Sequence, residues 1–307
     1  MGADPVPERD LRRRRTALGL PEYTLVQLFE GRRVFNDITA VVPAWGAQGA
    51  EHLAEALASL RENGVTSVLV VDNASDCFLN VPTDLSCLRL DHRVSLGEAR
   101  NEGLRHVTTP WVLFWDADDR LPPGFLPRAF GVMAQRDDVV AVAGFLKEYE
   151  TGRPYAFPPK WAPRLAQHRK IFALVNCIRL CYPVVGAVIK TEVARQAGGF
   201  ATALHGEDWP FGISLAGRGG IVILPIVARL YRNSPRSRSG VTQSFGHIWE
   251  RRNVARKRVR SDPGLPGWLR AVRPLIFAAQ IVDAFMMRPL RARRKGRLAT
   301  RSRGLLP

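Results

Sequence analysis

The pattern of apolar and polar positions along residues 37–146 alternates between two kinds of element. Five short apolar runs, bounded by polar residues or proline, have the length and composition of buried parallel strands: 38–42, 65–71, 85–90, 111–115 and 139–145. Between them, apolar residues recur every three to four positions and predict helices over 50–63, 96–107 and 122–134. This alternation predicts an α/β fold with a doubly wound, mostly parallel sheet.

The pattern is weaker beyond residue 146. Residues 147–179 are rich in proline and aromatic residues and give no clear element. Further along, the sequence predicts a strand over 184–190, helices over 191–197 and 208–218, and a strand over 221–224.

The positive charge of the chain is concentrated near its C-terminus. The chain has 307 residues and a net charge of +17, and residues 251–307 hold 16 of its Lys and Arg against two acids. We therefore expect a basic N-terminal lead-in (1–36), a catalytic domain (37–245) and a basic, helical and partly disordered tail (246–307). The tail either binds an anionic membrane surface or is a solvated extension, and the apolar stretch 268–287 either lies on a membrane or packs on the domain.

The expected compartment is the cytoplasm, with peripheral attachment to its membrane as an option. The N-terminus lacks an apolar signal segment, and no run of 18 apolar residues predicts a membrane span. In that compartment the four cysteines are expected to be reduced thiols. Their spacing does not suit a zinc site.

Chemically active residue types gather where the predicted strands end. Ligands bind beyond the carboxyl ends of the strands in an open α/β sheet. The first strand leads into Pro43, Ala44 and Trp45, the second into Asp72, Asn73 and Ser75, and the fourth into Asp116, Ala117, Asp118 and Asp119. Neighbouring carboxylates repel one another unless a cation compensates them.

Asp116 and Asp118 are the strongest candidates for ligands of such a cation. Mg²⁺ and Mn²⁺ accept carboxylate oxygens and leave coordination positions open for phosphate oxygens. Aspartates that follow a strand are also common turn residues, so the pair by itself leaves both interpretations open.

Five segments, taken together and in this order, resemble the family 2 inverting glycosyltransferases. They are 38–45, 68–76, 97–103, 114–119 and 206–209. The resemblance implies a GT-A nucleotide-diphospho-sugar transferase fold, here followed by the basic helical extension. It also implies a divalent cation (Mn²⁺ or Mg²⁺) and a nucleotide-diphosphate sugar as donor. A UDP-sugar is favoured, because a carboxylate at Asp72 can accept the imide N–H of uracil.

The resemblance assigns donor-side roles residue by residue. The wall of the nucleoside pocket is matched by Pro43, Ala44 and Trp45, and the base-binding acid by Asp72, with Asn73 and Ser75 in its loop. Positions near the diphosphate are matched by Arg100, Asn101 and Arg232. The cation motif is matched by Asp116, Ala117 and Asp118, with Asp118 the more direct ligand. An arginine beside a diphosphate is chemically sensible.

The resemblance also implies the catalytic and acceptor sides. Glu207 and Asp208 match the motif that supplies the catalytic base, and Asp208 is the expected base, although a carboxylate here can also simply cap a helix. Gly186 matches the acceptor-side strand, and Trp209 is expected to floor the acceptor pocket unless it is an ordinary core residue. The acceptor is expected to be a cell-envelope glycan, a lipid-linked sugar or a small molecule, and the Q-x-x-R-W motif of processive synthases is absent after Asp208.

Three other functions compete with this interpretation. A nucleotidyltransferase would carry a basic, glycine-rich loop after the first strand, whereas residues 43–49 contain no basic residue. A nucleic-acid binder could use the basic tail, but no nucleic-acid module is visible and no specific nucleic acid is expected. A degenerate domain that only binds sugar nucleotides would retain the acids without catalysis.

Overall fold

The computed structural model describes residues 26–29, 32–203, 206–232 and 245–286, and the side chains of all these except 26–34, Gln48 and Phe245. Within these residues eight strands form one sheet: β1 (Val26–Phe29), β2 (Arg32–Ala44), β3 (Val65–Asp72), β4 (Ser86–Arg89), β5 (Trp111–Phe114), β6 (Val139–Glu148), β7 (Val188–Lys190) and β8 (Gly220–Tyr231). Their order is β4-β3-β2-β5-β7-β6-β8, with β1 antiparallel to the start of β2. Apart from β1 only β7 runs against its neighbours, so the expected mostly parallel sheet is confirmed.

Helices connect these strands and cover the sheet. They are α1 (Gly46–Glu62), α2 (Leu96–His106), α3 (Phe125–Gln135), α4 (Ala162–Ala166), α5 (Arg169–Ile178), α6 (Thr191–Gln196), α7 (Asp208–Arg218), α8 (Phe245–Ser261) and α9 (Gly267–Ala271), and residues 273–286 are also helical. Helices α4 and α5 lie in the segment 147–179 that the sequence pattern left unassigned. None of the described helices is long and apolar enough to cross a membrane.

The core lies on both faces of the sheet. Alternate residues of β2 point to opposite faces: Val41 joins one buried cluster, and Ala40 and Val42 join the other. A strand buried on both faces reads as a continuous apolar run, which explains why 38–42 shows no alternation.

Helix α2 packs unusually close to the sheet because of its glycines. A Cβ atom at Gly103 would lie only 2.3 Å from Cγ1 of Val41, so no other residue fits there without a shift. Ser95 caps the helix by accepting a hydrogen bond from the Glu98 amide. The close approach brings the first turns of α2, including Arg100, beside the ends of the central strands.

Elements of the fold extend into both the expected lead-in and the expected tail. Strand β2 already begins at Arg32, inside the expected lead-in, and its outer part pairs with β1. At the other end, Ala255, Val259 and Leu269 are buried in the main apolar cluster. Part of the expected tail therefore belongs to the core, because its helices pack on the domain; residues 1–25 and 287–307 lie outside the described residues.

Candidate active site

The carboxyl ends of β2, β3 and β5 meet at one edge of the sheet. Ala44 lies opposite Asp72 in the parallel pair β2–β3, and Val41 lies opposite Phe114 in the pair β2–β5. The chain then passes two residues beyond β5 to Asp116. The three groups of polar residues that follow these strands therefore lie side by side, as parallel strands require.

A small pocket of about 80 Å³ opens beside the end of β2. Its lining residues are Pro43, Ala44, Trp45, Asn73, Arg93, Val94 and Leu96. Trp45 is 36 % exposed, and the Arg93 guanidinium carbon lies 3.2 Å from the centre of its ring. Four of the residues expected at the nucleoside thus line one pocket, and Arg93 is an addition that sequence reasoning missed.

Asp72 is almost fully buried beside this pocket, and both of its carboxylate oxygens already have partners. Oδ1 accepts a hydrogen bond from the Ser75 amide at 2.9 Å, and Oδ2 pairs with Arg89 at 2.5 Å. The Ser75 hydroxyl in turn accepts from the Gly46 amide. Asp72 and Ser75 therefore order the loop after β3, and a nucleobase would share the Asp72 carboxylate with Arg89.

Asn73 holds a second segment against the same loop. Its side-chain amide donates to the Val94 carbonyl and accepts from the Val94 amide, both at 2.9 Å. The two bonds fix the segment that carries Arg93 over Trp45. The structure thus gives Asn73 a positioning role at the pocket wall.

Three carboxylates gather after β5. Oxygens of Asp116, Asp118 and Asp119 all lie within 4.8 Å of one another, which is close enough for a single cation to be held by them. Among the described residues this is the one group of acids, histidines and cysteines with such spacing. The donor set is entirely oxygen, as Mg²⁺ and Mn²⁺ prefer, so these residues fit the implied cation.

Two of the three acids are neutralised by arginines. Asp116 accepts from Arg100 Nη2 at 2.6 Å and from Arg229 Nη2 at 2.5 Å. Asp119 pairs with Arg229 and also accepts from the Arg232 amide at 2.9 Å. Burial opposes ionisation of Asp116, but Arg229 and Arg100 outweigh it and lower the pKa of Asp116 to about 2.

Asp118 differs from the other two acids because it is not paired with an arginine of the described residues. It forms no ion pair with any residue in the described part of the chain. Burial, and then the negative charge of Asp116, raise the pKa of the Asp118 carboxyl. A partly buried carboxylate without an arginine partner would be stabilised by a bound cation, and the role of Asp118 as the more direct ligand stays a prediction.

Arg229 is the main residue at this site that sequence reasoning missed. It lies in β8, is buried, and bridges two acids that stand more than 100 positions earlier in the chain. A charged residue inside the apolar run 226–230 was the available signal, because a buried charge needs a partner. The strand predicted over 221–224 ended too early to include it.

Arg100 connects the cation motif with the base motif. Its guanidinium is buried and contacts Asp116 at 2.6 Å and Glu207 at 3.0 Å, while its Nε has no hydrogen-bond partner. The resemblance placed Arg100 beside the diphosphate. The structure brings it to the site but commits two of its nitrogens to carboxylates.

Asp208 begins α7 next to Glu207 and forms no ion pair with any described residue. Burial and the neighbouring charge of Glu207 raise the pKa of Asp208, against the opposing influence of Arg251 and Arg100. A carboxylate with a raised pKa is a stronger base than an ordinary one. Of the two acids in the motif, Asp208 therefore has the properties that general base catalysis needs.

Arg232 lies behind the acidic loop. Its Nε donates to the Asp118 carbonyl at 3.0 Å, and its guanidinium pairs with Glu55 at 2.6 Å and with Glu150 at 3.2 Å. Arg232 therefore braces the backbone that carries Asp118. The role expected from the resemblance, contact with the donor phosphates, would require these ion pairs to open.

Three further expected site residues have structural contacts instead. The Asn101 amide exchanges two hydrogen bonds of 2.9 Å with the Phe200 backbone, and Gly186 has a φ of +90° and lies against Arg229. Trp209 is only 4 % exposed and donates from Nε1 to the Asn176 carbonyl. This burial favours the alternative named for Trp209, an ordinary core residue, over the floor of an acceptor pocket.

Comparisons with known proteins agree with this geometry. Residues 39–191, about half of the chain, match the model of "Glycosyl transferase family 2". A pre-mycofactocin glycosyltransferase of Mycobacterium tuberculosis is 27 % identical over 182 residues, which cover 56 % of this chain and 37 % of that protein. The chain thus spans little more than a third of the curated relative that it matches.

Solved structures show the same fold. The S. aureus TarS fragment 1–349, solved in complex with UDP-GlcNAc, superposes with a TM-score of 0.59 at 16 % identity, covering 80 % of this chain and 71 % of that one. The mannosyltransferase PcManGT from Pyrobaculum calidifontis, in complex with GDP-Man and Mn²⁺, gives a TM-score of 0.50 at 18 % identity over 86 % and 80 % of the two chains. The chain belongs to the family 2 glycosyltransferases and has their GT-A fold.

Proposed function

We propose that this enzyme transfers a single sugar from a UDP-sugar to an acceptor hydroxyl with inversion at the anomeric carbon. The observation that carries the proposal is the pair of carboxylates, Asp118 and Asp208, that form no ion pair with an arginine in the described part of the chain. Arg100 links them indirectly, because it contacts both Asp116 and Glu207. One acid is thus available to a cation and the other to a proton within one connected site.

The donor is held by the pocket at the end of β2 and by the acidic loop. Trp45 supplies a partly exposed aromatic ring at the pocket for the base, and Asp72 supplies a carboxylate that can accept the N–H of uracil. The solved relatives bind UDP-GlcNAc and GDP-Man, so the donor class is a nucleotide-diphosphate sugar in both. Asp118, with Asp116, would hold Mn²⁺ or Mg²⁺, whose charge offsets the charge of the leaving diphosphate.

Asp208 removes the proton of the attacking hydroxyl. The oxygen of the acceptor forms a bond with the anomeric carbon while the bond from that carbon to the diphosphate oxygen breaks. The proton passes to the Asp208 carboxylate, whose raised pKa suits it to accept one. Single displacement on the face opposite the leaving group inverts the configuration of that carbon.

The acceptor is proposed as a set of classes, whereas the donor is proposed as one class. We propose a cell-envelope glycan, a lipid-linked sugar or a small glycoconjugate, at the cytoplasmic face of a membrane. The support is the basic C-terminal segment, which would hold the enzyme close to an anionic surface.

A donor panel tests the proposal. Binding and hydrolysis of UDP-, GDP- and dTDP-sugars would be measured with Mn²⁺, Mg²⁺ or EDTA, on the unmodified protein and on Asp118→Ala and Asp208→Asn. We expect binding to require the cation and to be lost in Asp118→Ala. In Asp208→Asn turnover should fall by about 10²- to 10⁴-fold while binding persists.

Asp137→Asn is a suitable control, because it removes an exposed acid from the loop before β6, at the opposite edge of the sheet from the site. Binding without turnover in the unmodified protein would indicate a domain that only binds sugar nucleotides. Failure to bind any sugar nucleotide under any cation condition would contradict the proposal.

A further inference from the structure

The helical segment 273–286 exposes apolar side chains to solvent and directs polar side chains toward the protein. Its exposed residues are all apolar: Pro274, Leu275, Ala278, Ile281, Val282, Phe285 and Met286. Leu275, Val282 and Met286 are 70 %, 60 % and 68 % exposed. A surface helix of a water-soluble domain normally presents polar residues to solvent, so this face needs an explanation.

The polar residues of the same segment point toward the protein. Gln280 is fully buried and donates to the Cys177 carbonyl at 2.7 Å. Asp283 pairs with Arg252 at 2.6 Å and with Arg179 at 2.8 Å. These contacts fix the rotation of the helix, so the apolar face cannot turn inward without breaking them.

Positive charge continues directly from this face. Residues 287–307 contain eight Lys and Arg and no acid, and Arg270 and Arg273 stand at the other end of the helix. A second copy of the chain is a poor occupant of the face, because pairing would bring two such sets of cations together. An anionic lipid surface complements both features, since it offers an apolar interior below negative headgroups.

We propose that helix 273–286 is a membrane-docking face that inserts its apolar side into the headgroup region of an anionic bilayer. At 1.5 Å per residue the segment is roughly 21 Å long, and it lies in the plane of the membrane rather than across it. The cations of 287–307 contact the headgroups alongside.

A series of side-chain contacts links this face to the segment that carries Asp208. Asp283, near its C-terminal end, pairs with Arg252 in α8, and the preceding Arg251 packs against Gly206, just before the base motif. Docking would therefore hold the Asp208 side of the enzyme near the bilayer. This part of the inference rests on the proposed function and favours an acceptor carried by a lipid.

Vesicle co-sedimentation of the full chain tests the face. Vesicles of phosphatidylcholine alone would be compared with vesicles that contain about 30 mol% phosphatidylglycerol. We expect binding to the anionic vesicles only, and a loss of about tenfold or more in partitioning for the double variant Leu275→Asp/Val282→Asp. The milder Leu275→Ser/Val282→Ser variant should lose binding in the same direction.

The matched control is Phe78→Asp, which removes an apolar side chain that is 86 % exposed elsewhere on the surface; its binding should not change. Arg293→Gln/Arg294→Gln should weaken binding and reduce its salt dependence. Equal binding by the unmodified protein and both face variants, or no binding by the unmodified protein, would overturn the proposal. So would a change of oligomeric state in lipid-free sedimentation of the face variants.

Donor hydrolysis in solution separates this proposal from the proposed function. The face variants should hydrolyse the donor at the unmodified rate, because none of the changed residues contacts the site. If no protein hydrolyses any donor while vesicle binding follows the expected pattern, the docking face stands and the proposed reaction fails.

Discussion

Arg100 and Arg229 each hold two carboxylates in the buried part of the site. Arg100 contacts Asp116 and Glu207, and Arg229 contacts Asp116 and Asp119. Removing one partner from a buried ion pair leaves an uncompensated charge, which is strongly destabilising. These arginines compensate Asp116, Asp119 and Glu207, while Asp118 and Asp208, the two acids of the proposed reaction, form no ion pair with a described residue.

The pH dependence of turnover follows from the surroundings of Asp208. A general base must be deprotonated, and burial and Glu207 raise the pKa of Asp208 above that of an ordinary aspartate. We expect kcat/KM for donor hydrolysis to fall as the pH drops through that raised pKa. The acidic limb of the profile should therefore lie at a higher pH than an exposed carboxyl would give.

Two variants should move this limb in opposite directions. Glu207→Gln removes a negative charge that raises the pKa of Asp208, so the limb should shift to lower pH. Arg251→Gln removes a positive charge that lowers the pKa, so the limb should shift to higher pH. A limb that stays in place in both variants would show that another group titrates.

Short local motifs were predictable from sequence, and long-range partners were not. The acids at 116–119 follow directly on a strand whose pattern is clear, so their place at the sheet edge could be predicted, whereas the role of 207–208 came from the family resemblance. Arg229 could not be assigned to Asp119, because 110 positions separate them. The two alternatives for Trp209 stayed open, because its position beside Asp208 in the sequence does not determine the direction in which its ring points.

At the scale of elements, apolar runs predicted the strands β2 to β6 but not all of their ends. Strand β8 extends to Tyr231, well beyond the predicted end at residue 224, because the pairing with β6 continues past Pro225 through shifts of register. The reversed direction of β7 depends on its partners β5 and β6 and leaves no local signal. Non-local pairing is the information that a single sequence lacks.

One buried ion pair joins α7 to the end of α8. Asp262 accepts from Arg218 through both oxygens at 2.7 Å, from the Ser214 hydroxyl and from the Gly264 amide. We expect Asp262→Ala to lower the free energy of unfolding by about 3–5 kcal/mol, measured by urea denaturation at neutral pH.

The loss of unfolding free energy caused by Asp262→Ala should be smaller at acidic pH. Burial raises the pKa of Asp262, but the bonds from Arg218, Ser214 and Gly264 outweigh it and lower the pKa below the usual value. A lowered pKa gives stability that is present above the unfolded-state pKa and lost as the pH falls through the folded-state pKa. The control Asp84→Ala breaks an exposed pair with Arg61 and should change stability little; an equal loss in both variants would contradict the assignment.

At the scale of the whole molecule, the C-terminal helices have two roles that the charge distribution alone concealed. Their basic composition suggested an extension separate from the domain. Their inner faces instead complete the core that covers α7, and the outer face of the helical segment 273–286 is apolar. The net charge of a segment indicates what its surface can bind, but it does not indicate whether the segment packs as part of the folded domain.

We therefore expect a protein that ends at residue 244 to be unable to keep its native fold. It would lose Ala255, Val259, Leu265, Leu269 and Ile276, all buried in the main apolar cluster, and it would expose the side of α7 that they cover. The thermal unfolding midpoint should drop by roughly 10 °C or more, or the protein should aggregate. A protein that ends at residue 286 keeps every one of these residues while losing eight cations, so its midpoint should stay close to that of the full chain. If the shorter protein unfolds at the same temperature as the longer one, the helices are an accessory to the domain; if only the shorter one fails, the catalytic fold requires the segment that also carries the docking face.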